Sequence, residues 1–283
     1  MTGLVPGTQV YVPDGAAVAD ALGRTTDLGV VAHPDDVELS IAGPVLACRN
    51  DPARWFTAVV CADGAGSVRP ADMAHLDDAA FAEVRAAEQR AAADAGGLSA
   101  VVMLGLPSAA VCAPGGVDRD RFVQALAGIA SAARAEAVHT HNPADAHRTH
   151  VAVVTAVVSA LRSLPTDARP TSLAGWEGWR DLDWLPPDAK VTADLTGLGD
   201  EAMALARHHA SQMGPKRYDL AARGRRQANA TFADPTGPDT ASEMAVAMDL
   251  TALLADGVDP SDLVLAAIDR FRCDVAEILG RWW

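Results

Sequence analysis

Residues 28–38 have the sequence Leu-Gly-Val-Val-Ala-His-Pro-Asp-Asp-Val-Glu, in which an apolar run passes directly into a histidine, a proline and three carboxylates. The apolar run predicts a short buried strand over residues 28–32, and the residues that follow predict the start of a helix. The polar side chains therefore lie on a strand-to-helix turn. Such a turn opens a βαβ unit and indicates an α/β fold.

The same alternation of strands and helices continues along the chain. Strands are predicted at 28–32, 55–62, 100–106, 137–140, 173–179 and 190–195, and helices at 16–22, 37–49, 78–95, 118–136, 149–164, 201–213, 218–230 and 262–279. This order is typical of a Rossmann-like, largely parallel sheet flanked by helices. We divide the chain into an entry segment (1–26), a main domain (27–230) and a C-terminal helical extension of that domain (231–283).

Composition narrows the class of protein. The chain has 283 residues, of which 49% are hydrophobic and 21% charged, as in ordinary globular enzymes. A net charge of -14 argues against a nucleic-acid partner, because phosphate backbones are bound by basic surfaces. No apolar run reaches the roughly 20 residues of a membrane helix, and no signal peptide is recognised, so we expect no membrane partner and a cytoplasmic location. Widely spaced cysteines predict free thiols.

A second polar cluster follows a later strand. Four of the eight histidines fall within residues 139–150. The carboxyl ends of parallel strands form one rim of a sheet, so the two clusters are expected to meet there. Catalytic zinc uses three His, Asp or Glu ligands and keeps one position for water. His33, Asp36 and His150 supply such a set, with Asp35 as general base. The same donors also accept Fe²⁺ or another divalent metal, and Zn²⁺ is the default.

Each of these residues also has a structural interpretation. An Asp in the first turn of a helix accepts hydrogen bonds from free backbone N–H groups and interacts favourably with the helix dipole. A histidine near a strand end is commonly a hydrogen-bonded core residue, which applies to His139, His141, His147 and His150 taken singly. The coincidence of both clusters with strand ends favours the metal site.

Together the two clusters resemble a known family. Ala-His-Pro-Asp-Asp-x-Glu at 32–38, followed by Asn-Pro-x-Asp-x-His-x-x-His at 142–150, is similar to the PIG-L/LmbE-like metal-dependent N-deacetylases. That family includes the de-N-acetylases of N-acetylglucosaminyl phosphatidylinositol and of the sugar conjugates in mycothiol and bacillithiol synthesis. The resemblance extends over residues 27–212, where His-Ala-Ser-Gln at 209–212 is similar to a further short motif. It implies that residues 27–230 are a deacetylase domain.

The resemblance also implies roles for individual residues. His33, Asp36 and His150 would bind Zn²⁺. Asp35 would accept the proton of the attacking water and return it to the leaving amine, while His147 would stabilise the oxyanion.

One position departs from the commoner His-Pro-Asp-His form of the second motif, because Thr149 stands in place of the Asp. A carboxylate there would keep His147 protonated and oriented. The charge state of His147 is therefore open, and Asp145 is the alternative partner.

Three further residues are candidate substrate contacts, namely Arg69, His141 and Asp145. Arg69 follows a glycine-containing loop after the second core strand, where it either meets a hydroxyl-rich or anionic group or is solvated. Arg85 and Glu88 lie one helical turn apart, which a surface ion pair explains.

Two groups beyond the clusters admit both a structural and a functional interpretation. The basic residues form either a solvated helix face or a wall that binds a phosphate or carboxylate of the substrate: Lys216, Arg217, Arg223, Arg225 and Arg226. The tryptophans either pack in the core or wall a sugar pocket: Trp176, Trp179 and Trp184.

The leading hypothesis is a zinc-dependent hydrolase that removes an N-acetyl or other N-acyl group from an amino sugar or sugar conjugate. The amide specificity comes from the resemblance alone. The alternatives are a metallohydrolase acting on a different amide or ester, and a non-catalytic sugar-binding protein of the same fold. The expected partner is a small molecule, and a homo-oligomer is compatible with the sequence.

Overall fold

The structure is a computed structural model and describes residues 4–233 and 237–283. It contains strands β1 (Gln9–Tyr11), β2 (Asp27–Val31), β3 (Phe56–Ala62), β4 (Ala100–Leu106), β5 (Ala137–His141), β6 (Ser172–Trp176), β7 (Lys190–Asp194) and β8 (Met244–Asp249). Its helices are α1 (Val18–Gly23), α2 (Asp36–Ser40), α3 (Ala42–Arg49), α4 (Asp78–Gly96), α5 (Ser108–Val111), α6 (Val117–Ala133), α7 (Arg148–Arg162), α8 (Gly199–Ala206), α9 (Ala210–Lys216), α10 (Tyr218–Asn229) and α11 (Pro260–Gly280).

Within these residues the strands form one mixed sheet, in the order β1-β4-β3-β2-β5-β6-β8-β7. The five central strands β4, β3, β2, β5 and β6 are parallel to one another. The outer strands β1, β8 and β7 pair antiparallel. The prediction of a largely parallel, Rossmann-like sheet therefore holds for the centre and not for the edges.

Helices cover both faces of this sheet, which is why its central strands are apolar throughout. Every residue of β2 and β3 is buried. Side chains alternate between the two faces, so that Val30 and Val59 belong to one apolar core, whereas Val31 and Val60 belong to the other. A run such as Leu28–Val31 is typical of a strand buried on both faces.

Two predicted helices are interrupted in the structure. The helix expected at 37–49 divides at Ile41 into α2 and α3. Pro44 lies in the first turn of α3, where a missing backbone N–H is tolerated, whereas it would break a continuous helix. The helix expected at 201–213 divides into α8 and α9, between which His209 turns into the protein interior.

Two strands were missed by the sequence analysis. β1 lies in the predicted entry segment and pairs with β4. In the sequence β8 belongs to the predicted helical extension, and in the sheet it pairs with β6 on one side and β7 on the other. Residues 231–283 are therefore not purely helical. The division of the chain at residues 27 and 231 stays a prediction.

The carboxyl ends of β2, β3, β5 and β6 lie along one rim of the sheet, because these strands are parallel neighbours. Both polar clusters follow these ends. No helix in the described parts of the chain has the length and apolar character needed to cross a bilayer.

Candidate metal centre and cavity

The turn after β2 has a constrained geometry. The backbone N–H of His33 donates to Oδ2 of Asp36 (2.7 Å), and the N–H of Asp36 donates back to the carbonyl of His33 (3.3 Å). Asp35 between them has φ of 104° and ψ of -27°, in the left-handed region that non-glycine residues rarely adopt. This backbone turns two adjacent carboxylates in different directions.

Asp36 faces the second cluster. Its Oδ2 lies 3.2 Å from Nδ1 of His33 and 3.5 Å from Nε2 of His150, which is in the first turn of α7. The three candidate ligand atoms lie within 4.8 Å of one another. Ligands of tetrahedral zinc with bonds of about 2.0–2.1 Å are spaced roughly 3.3 Å apart. The structure thus brings the three predicted ligands together at a spacing that fits one metal ion.

A hydrogen bond at Nδ1 of His150 determines which ring nitrogen is available to a metal ion. Nδ1 lies 3.1 Å from Oδ2 of Asp145 and donates its proton to that carboxylate. In the neutral ring Nε2 therefore carries the lone pair, and Nε2 is buried without a hydrogen-bond partner among residues 4–233 and 237–283. A carboxylate behind a histidine in this way is typical of metal sites. The unpartnered nitrogen is one that a metal ion would satisfy.

His141 offers a second grouping, with Asp145 and His150. However, Nε2 of His141 already accepts a hydrogen bond from the N–H of Ala32 (2.9 Å), and Asp145 is occupied by the proton on His150. The set of His33, Asp36 and His150 is therefore the better metal site.

The electrostatics divide the cluster into charged and neutral groups. Burial opposes ionisation of Asp36, but the rings of His150 and His141 outweigh it and hold the pKa of this carboxyl well below its usual range. Burial likewise opposes the charge on His150, yet Asp36 and Asp145 raise its pKa. Burial, together with repulsion from His150, lowers the pKa of His141 to about 4.

Asp35 points to the other side of the turn, towards α4. Its Oδ2 is 2.9 Å from Nη2 of Arg85, which also donates to the carbonyl of Pro34. Burial raises the pKa of Asp35, against the lowering effect of the guanidinium. The side chain of Arg85 is 1% exposed. The predicted surface pair of Arg85 with Glu88 is therefore wrong, because Arg85 faces the interior and Glu88 binds the hydroxyl and N–H of Ser211 (2.7 Å each).

A buried polar chain supports the turn from below. The N–H of Asp35 donates to Oε1 of Gln89 (3.3 Å), whose amide donates to Glu38 (3.0 Å). Glu38 in turn lies 2.9 Å from Nε2 of His209. This links the first cluster to the turn between α8 and α9.

His147 lies on the cavity side of the site, with its ring 5.0 Å from that of His33 and 4.6 Å from that of His150. Burial and these two rings lower its pKa to about 4. Asp145 contacts its backbone N–H (2.9 Å) and not its ring, and the hydroxyl of Thr149 faces Cys112. No carboxylate within the described residues forms an ion pair with the imidazole, so His147 is neutral at pH 7.

A cavity of about 290 Å³ opens beside the cluster. Asp35, His147 and His150 are part of its wall. Its remaining wall combines polar or aromatic side chains with apolar ones, including Glu177, Trp179, Lys216, Tyr218, Arg225, Leu39, Leu195 and Val246. Such a mixed concave site is typical of small-molecule binding.

The comparisons with known proteins bear on this geometry. Residues 28–161 match the family model for PIG-L, GlcNAc-PI de-N-acetylase. The match covers just under half of the chain, and His33, Asp36 and His150 all lie within the matched residues. No curated protein matches the sequence of this chain.

Several solved structures share the fold. GalB, the 4-carboxy-2-hydroxymuconate hydratase from Pseudomonas putida KT2440, matches with a TM-score of 0.62 and 17% identity, over 80% of this chain and 96% of that chain. N,N'-diacetylchitobiose deacetylase from Pyrococcus horikoshii matches with a TM-score of 0.61 and 14% identity, over 83% and 88%. The zinc-inhibited form of teicoplanin deacetylase Orf2 matches with a TM-score of 0.55 and 15% identity, over 82% and 99%. A hydratase and deacetylases share this fold, so activity has to be argued from the site.

The wall of the cavity extends beyond the residues that match the PIG-L model. Glu177 and Trp179 follow β6, Lys216 ends α9, and Tyr218 and Arg225 lie on α10. The side chain of Trp179 lies near both His147 and Tyr218, with ring centroids 5.7 and 5.9 Å apart. The region after residue 161 therefore completes a cavity whose candidate metal ligands lie within the residues that match the PIG-L model.

The predicted substrate contacts Arg69, His141 and Asp145 do not line this cavity in the described structure. Arg69 forms an ion pair with Asp78 on the surface, and His141 is fully buried behind Asp36. Asp145 orients His150. Arg85 was missed, although Phe81, Arg85 and Gln89 share the buried face of α4 at intervals of four, and this spacing is visible in the sequence.

Proposed function

We propose that the protein is a metal-dependent hydrolase that removes the N-acetyl or other N-acyl group from an amino sugar or sugar conjugate. The observation that carries this proposal is the cluster of partly exposed His33 with buried Asp36 and His150 beside Asp35, at the wall of a cavity. The PIG-L match supports the choice of an amide substrate. A fold shared with deacetylases is consistent with it.

The donor set fits a divalent cation, with Zn²⁺ as the first candidate and Fe²⁺ as an alternative. His33 would contribute Nδ1, His150 would contribute Nε2, and Asp36 would contribute Oδ2. A cation held there would polarise the acyl carbonyl and acidify a water molecule. Asp145 would keep His150 in the tautomer that binds.

Asp35 is the proposed general base. Arg85 and the backbone conformation of the turn hold its carboxylate in one orientation beside the cluster. There it would accept the proton of the attacking water and deliver it to the nitrogen of the departing amine. An ordered base of this kind contributes a factor of about 100 to 10,000 in rate.

His147 is the proposed oxyanion donor. Because its pKa is low, the ring is neutral at pH 7 and has one N–H to donate. Thr149 supplies no carboxylate to the ring of His147. This is compatible with the oxyanion role, since a neutral imidazole also donates a hydrogen bond. Such a donor contributes roughly 100-fold to 1,000-fold in rate.

The cavity wall suggests how the sugar conjugate would bind. Aromatic faces of Trp179 and Tyr218 can pack on a sugar ring. Lys216 and Arg225 reach the same cavity, and the structure shows no ion pair for either within residues 4–233 and 237–283. These two cations favour the anion-binding interpretation of the basic residues, with a phosphate or carboxylate on the conjugate.

The experiment that tests the proposal combines metal content with amine release. The wild type, His150→Ala and Asp35→Asn are purified without chelating resins, their bound metal is measured, and each is assayed on a panel of N-acetylated amino sugars. We expect one metal ion per chain in the wild type and in Asp35→Asn, little in His150→Ala, and amine release by the wild type alone.

Three other results would redirect the proposal. Metal binding with ester or peptide hydrolysis, but without amine release from sugars, would indicate a different metallohydrolase. Sugar binding without metal or turnover would indicate a non-catalytic member of the fold. Addition of water to an unsaturated acid would indicate a hydratase, which the likeness to GalB makes worth including in the panel.

A further inference from the structure

The last helix of the described chain extends beyond the body of the protein. At its start, Leu263, Val264 and Ala267 of α11 pack on the larger apolar core. From Ile268 onwards every residue is exposed. Arg270 donates to Asp188 (2.6 Å). Beyond it, the hydrogen bonds within the described chain join α11 and the three following residues only to the helix itself.

This overhanging segment is strongly apolar. Thirteen large apolar side chains are exposed among the described residues, and eight of them lie between residues 265 and 283. These eight are 40–100% exposed: Leu265, Ile268, Phe271, Val275, Ile278, Leu279, Trp282 and Trp283. A patch of this size on a soluble domain marks an interaction surface.

The apolar residues are arranged as in a coiled coil. Val264, Ile268, Phe271, Val275, Ile278 and Trp282 follow one another at intervals of four, three, four, three and four. This alternation is the spacing of the two core positions of a heptad repeat. The stripe continues the face that packs on the core at the start of α11, so the same helix face is covered at one end and open at the other.

A helix of about 12–15 residues is marginal in water without packing, and most helices gain their stability from a buried apolar face. The overhanging half of α11 has such a face and nothing in the described chain that covers it. It therefore requires a partner. Three aromatic side chains, at about 150–250 Å² each when fully buried, and five aliphatic ones offer an area on the order of the 800 Å² that each partner contributes to a standard interface.

We propose that a second copy of this chain covers the stripe, with the two α11 helices antiparallel. In an antiparallel pair, Val275 of each helix lies opposite Ile278 of the other, and Phe271 opposite Trp282. Asp274 and Arg281 flank the stripe on the same side. In this register Asp274 of each copy meets Arg281 of the other, which forms two symmetric ion pairs and specifies the orientation.

The charges on the helix argue against a membrane surface as the partner. Helices that lie on membranes are rich in Lys and Arg on their polar face. The polar face of α11 from residue 269 onwards instead balances three acidic residues, Asp269, Asp274 and Glu277, with three arginines, Arg270, Arg272 and Arg281. The chain as a whole carries a net charge of -14, which disfavours anionic lipid.

The test is the mass of the 283-residue chain in solution, measured by light scattering and sedimentation from nanomolar to high micromolar concentration. The wild type is expected at twice the chain mass of 29.3 kDa. Phe271→Glu places a charge in the seam and is expected to weaken the dimer by at least about 100-fold. Cys273→Glu adds the same charge on the opposite side of the helix and is the matched control, which should remain a dimer.

The orientation is tested by charge reversal. Asp274→Arg and Arg281→Asp are each expected to weaken the dimer, and the double variant is expected to restore it. Restoration distinguishes a specific antiparallel pair from general adhesion of apolar surface. Bound metal should be unchanged in all variants, because none of these side chains lines the cavity. Variants that become monomeric should lose helicity only in the overhanging half of α11.

A wild type that stays monomeric at high micromolar concentration would overturn the proposal. Binding of that monomer to phosphatidylcholine or anionic vesicles, lost in Phe271→Glu, would assign the stripe to a membrane surface instead. A dimer that Phe271→Glu leaves intact would also overturn it, because the interface would then lie elsewhere.

Discussion

Gly178 offers a direct test of the metal site, because there is no room at this position for a side chain. It follows β6, and an added Cβ would lie closer to Oδ2 of Asp145 than real Cβ atoms approach and 3.1 Å from Nδ1 of His150. Gly178→Ala therefore forces Asp145 to move. To restore ordinary van der Waals contact at about 3.5–4.0 Å, the carboxylate has to shift by roughly 1 Å or more.

Asp145 cannot make this shift without losing hydrogen bonds. Its Oδ1 accepts from the N–H of His147 (2.9 Å), and its Oδ2 accepts from His150 and from the N–H of Trp179 (3.1 Å each). The bond to His150 would be lost, and with it the orientation of Nε2 towards the proposed metal ion. Loss of such a supporting carboxylate typically costs 10-fold to 100-fold in metal affinity.

The assay is competition for Zn²⁺ against a chromogenic chelator of known affinity. Gly178→Ala should raise the dissociation constant about 10-fold to 100-fold, and Asp145→Asn should do the same. Gly66→Ala is the matched control, since an added Cβ there meets nothing within 4 Å in the described structure. Wild-type affinity in both Gly178→Ala and Asp145→Asn would refute the assignment of Asp145 as the residue that orients His150.

Three further predictions concern single residues. His147→Ala should lower kcat by about 100-fold to 1,000-fold while bound metal stays unchanged, as measured by steady-state kinetics and metal analysis; equal loss of metal would contradict an oxyanion role. Arg85→Lys keeps the charge but not the forked hydrogen bonds, so kcat should fall with KM and metal content unchanged, and full activity would exclude a positioning role for Arg85. Asp27→Asn should lower the free energy of unfolding at pH 7 by on the order of 2 kcal/mol, and the difference from the wild type should shrink as the pH falls below about 4. Urea titrations at pH 7 and below about pH 4 measure this difference. A difference that stays constant with pH would contradict a depressed pKa for Asp27.

The sign for Asp27 follows from its environment. Burial opposes its ionisation, but His139 (3.1 Å) and Arg54 (2.7 Å) outweigh it and lower its pKa. A carboxyl with a depressed pKa stabilises the fold above its unfolded pKa and loses that contribution as acid protonates it. Removing the carboxylate therefore matters at neutral pH and less in acid.

The sequence predicted the centre of the fold better than its edges. β2 and β3 are apolar throughout because both faces are covered, and this leaves a strong local signal. β1 has three residues and β8 pairs at the antiparallel edge, where neighbours far away in the chain decide whether a strand forms. The break at Ile41 was visible in Pro44, whereas the break before α9 depends on the contact between His209 and Glu38, 171 residues apart.

The candidate site shows the same limit. The ligand atoms of His33, Asp36 and His150 were expected to meet because they follow the ends of neighbouring parallel strands. The spacing of Phe81, Arg85 and Gln89 indicates that Arg85 faces the interior, but no local pattern reveals its contact with Asp35 or the close approach of Gly178 to Asp145. The spacing of the second cluster could not show whether Asp145 contacts the ring of His147 or its backbone. In the structure Asp145 accepts a hydrogen bond from the backbone N–H of His147.

Two adjacent carboxylates provide the clearest link between backbone geometry and chemistry. The positive φ of Asp35 turns its side chain towards Arg85, while Asp36 faces three histidines. Burial raises the pKa of Asp35, whereas the rings of His150 and His141 hold that of Asp36 far lower although it is buried as well. Pairs of titratable groups driven apart in this way mark a division between proton transfer and charge stabilisation. A single left-handed residue thus separates neighbouring aspartates in the way that their proposed roles of base and ligand require.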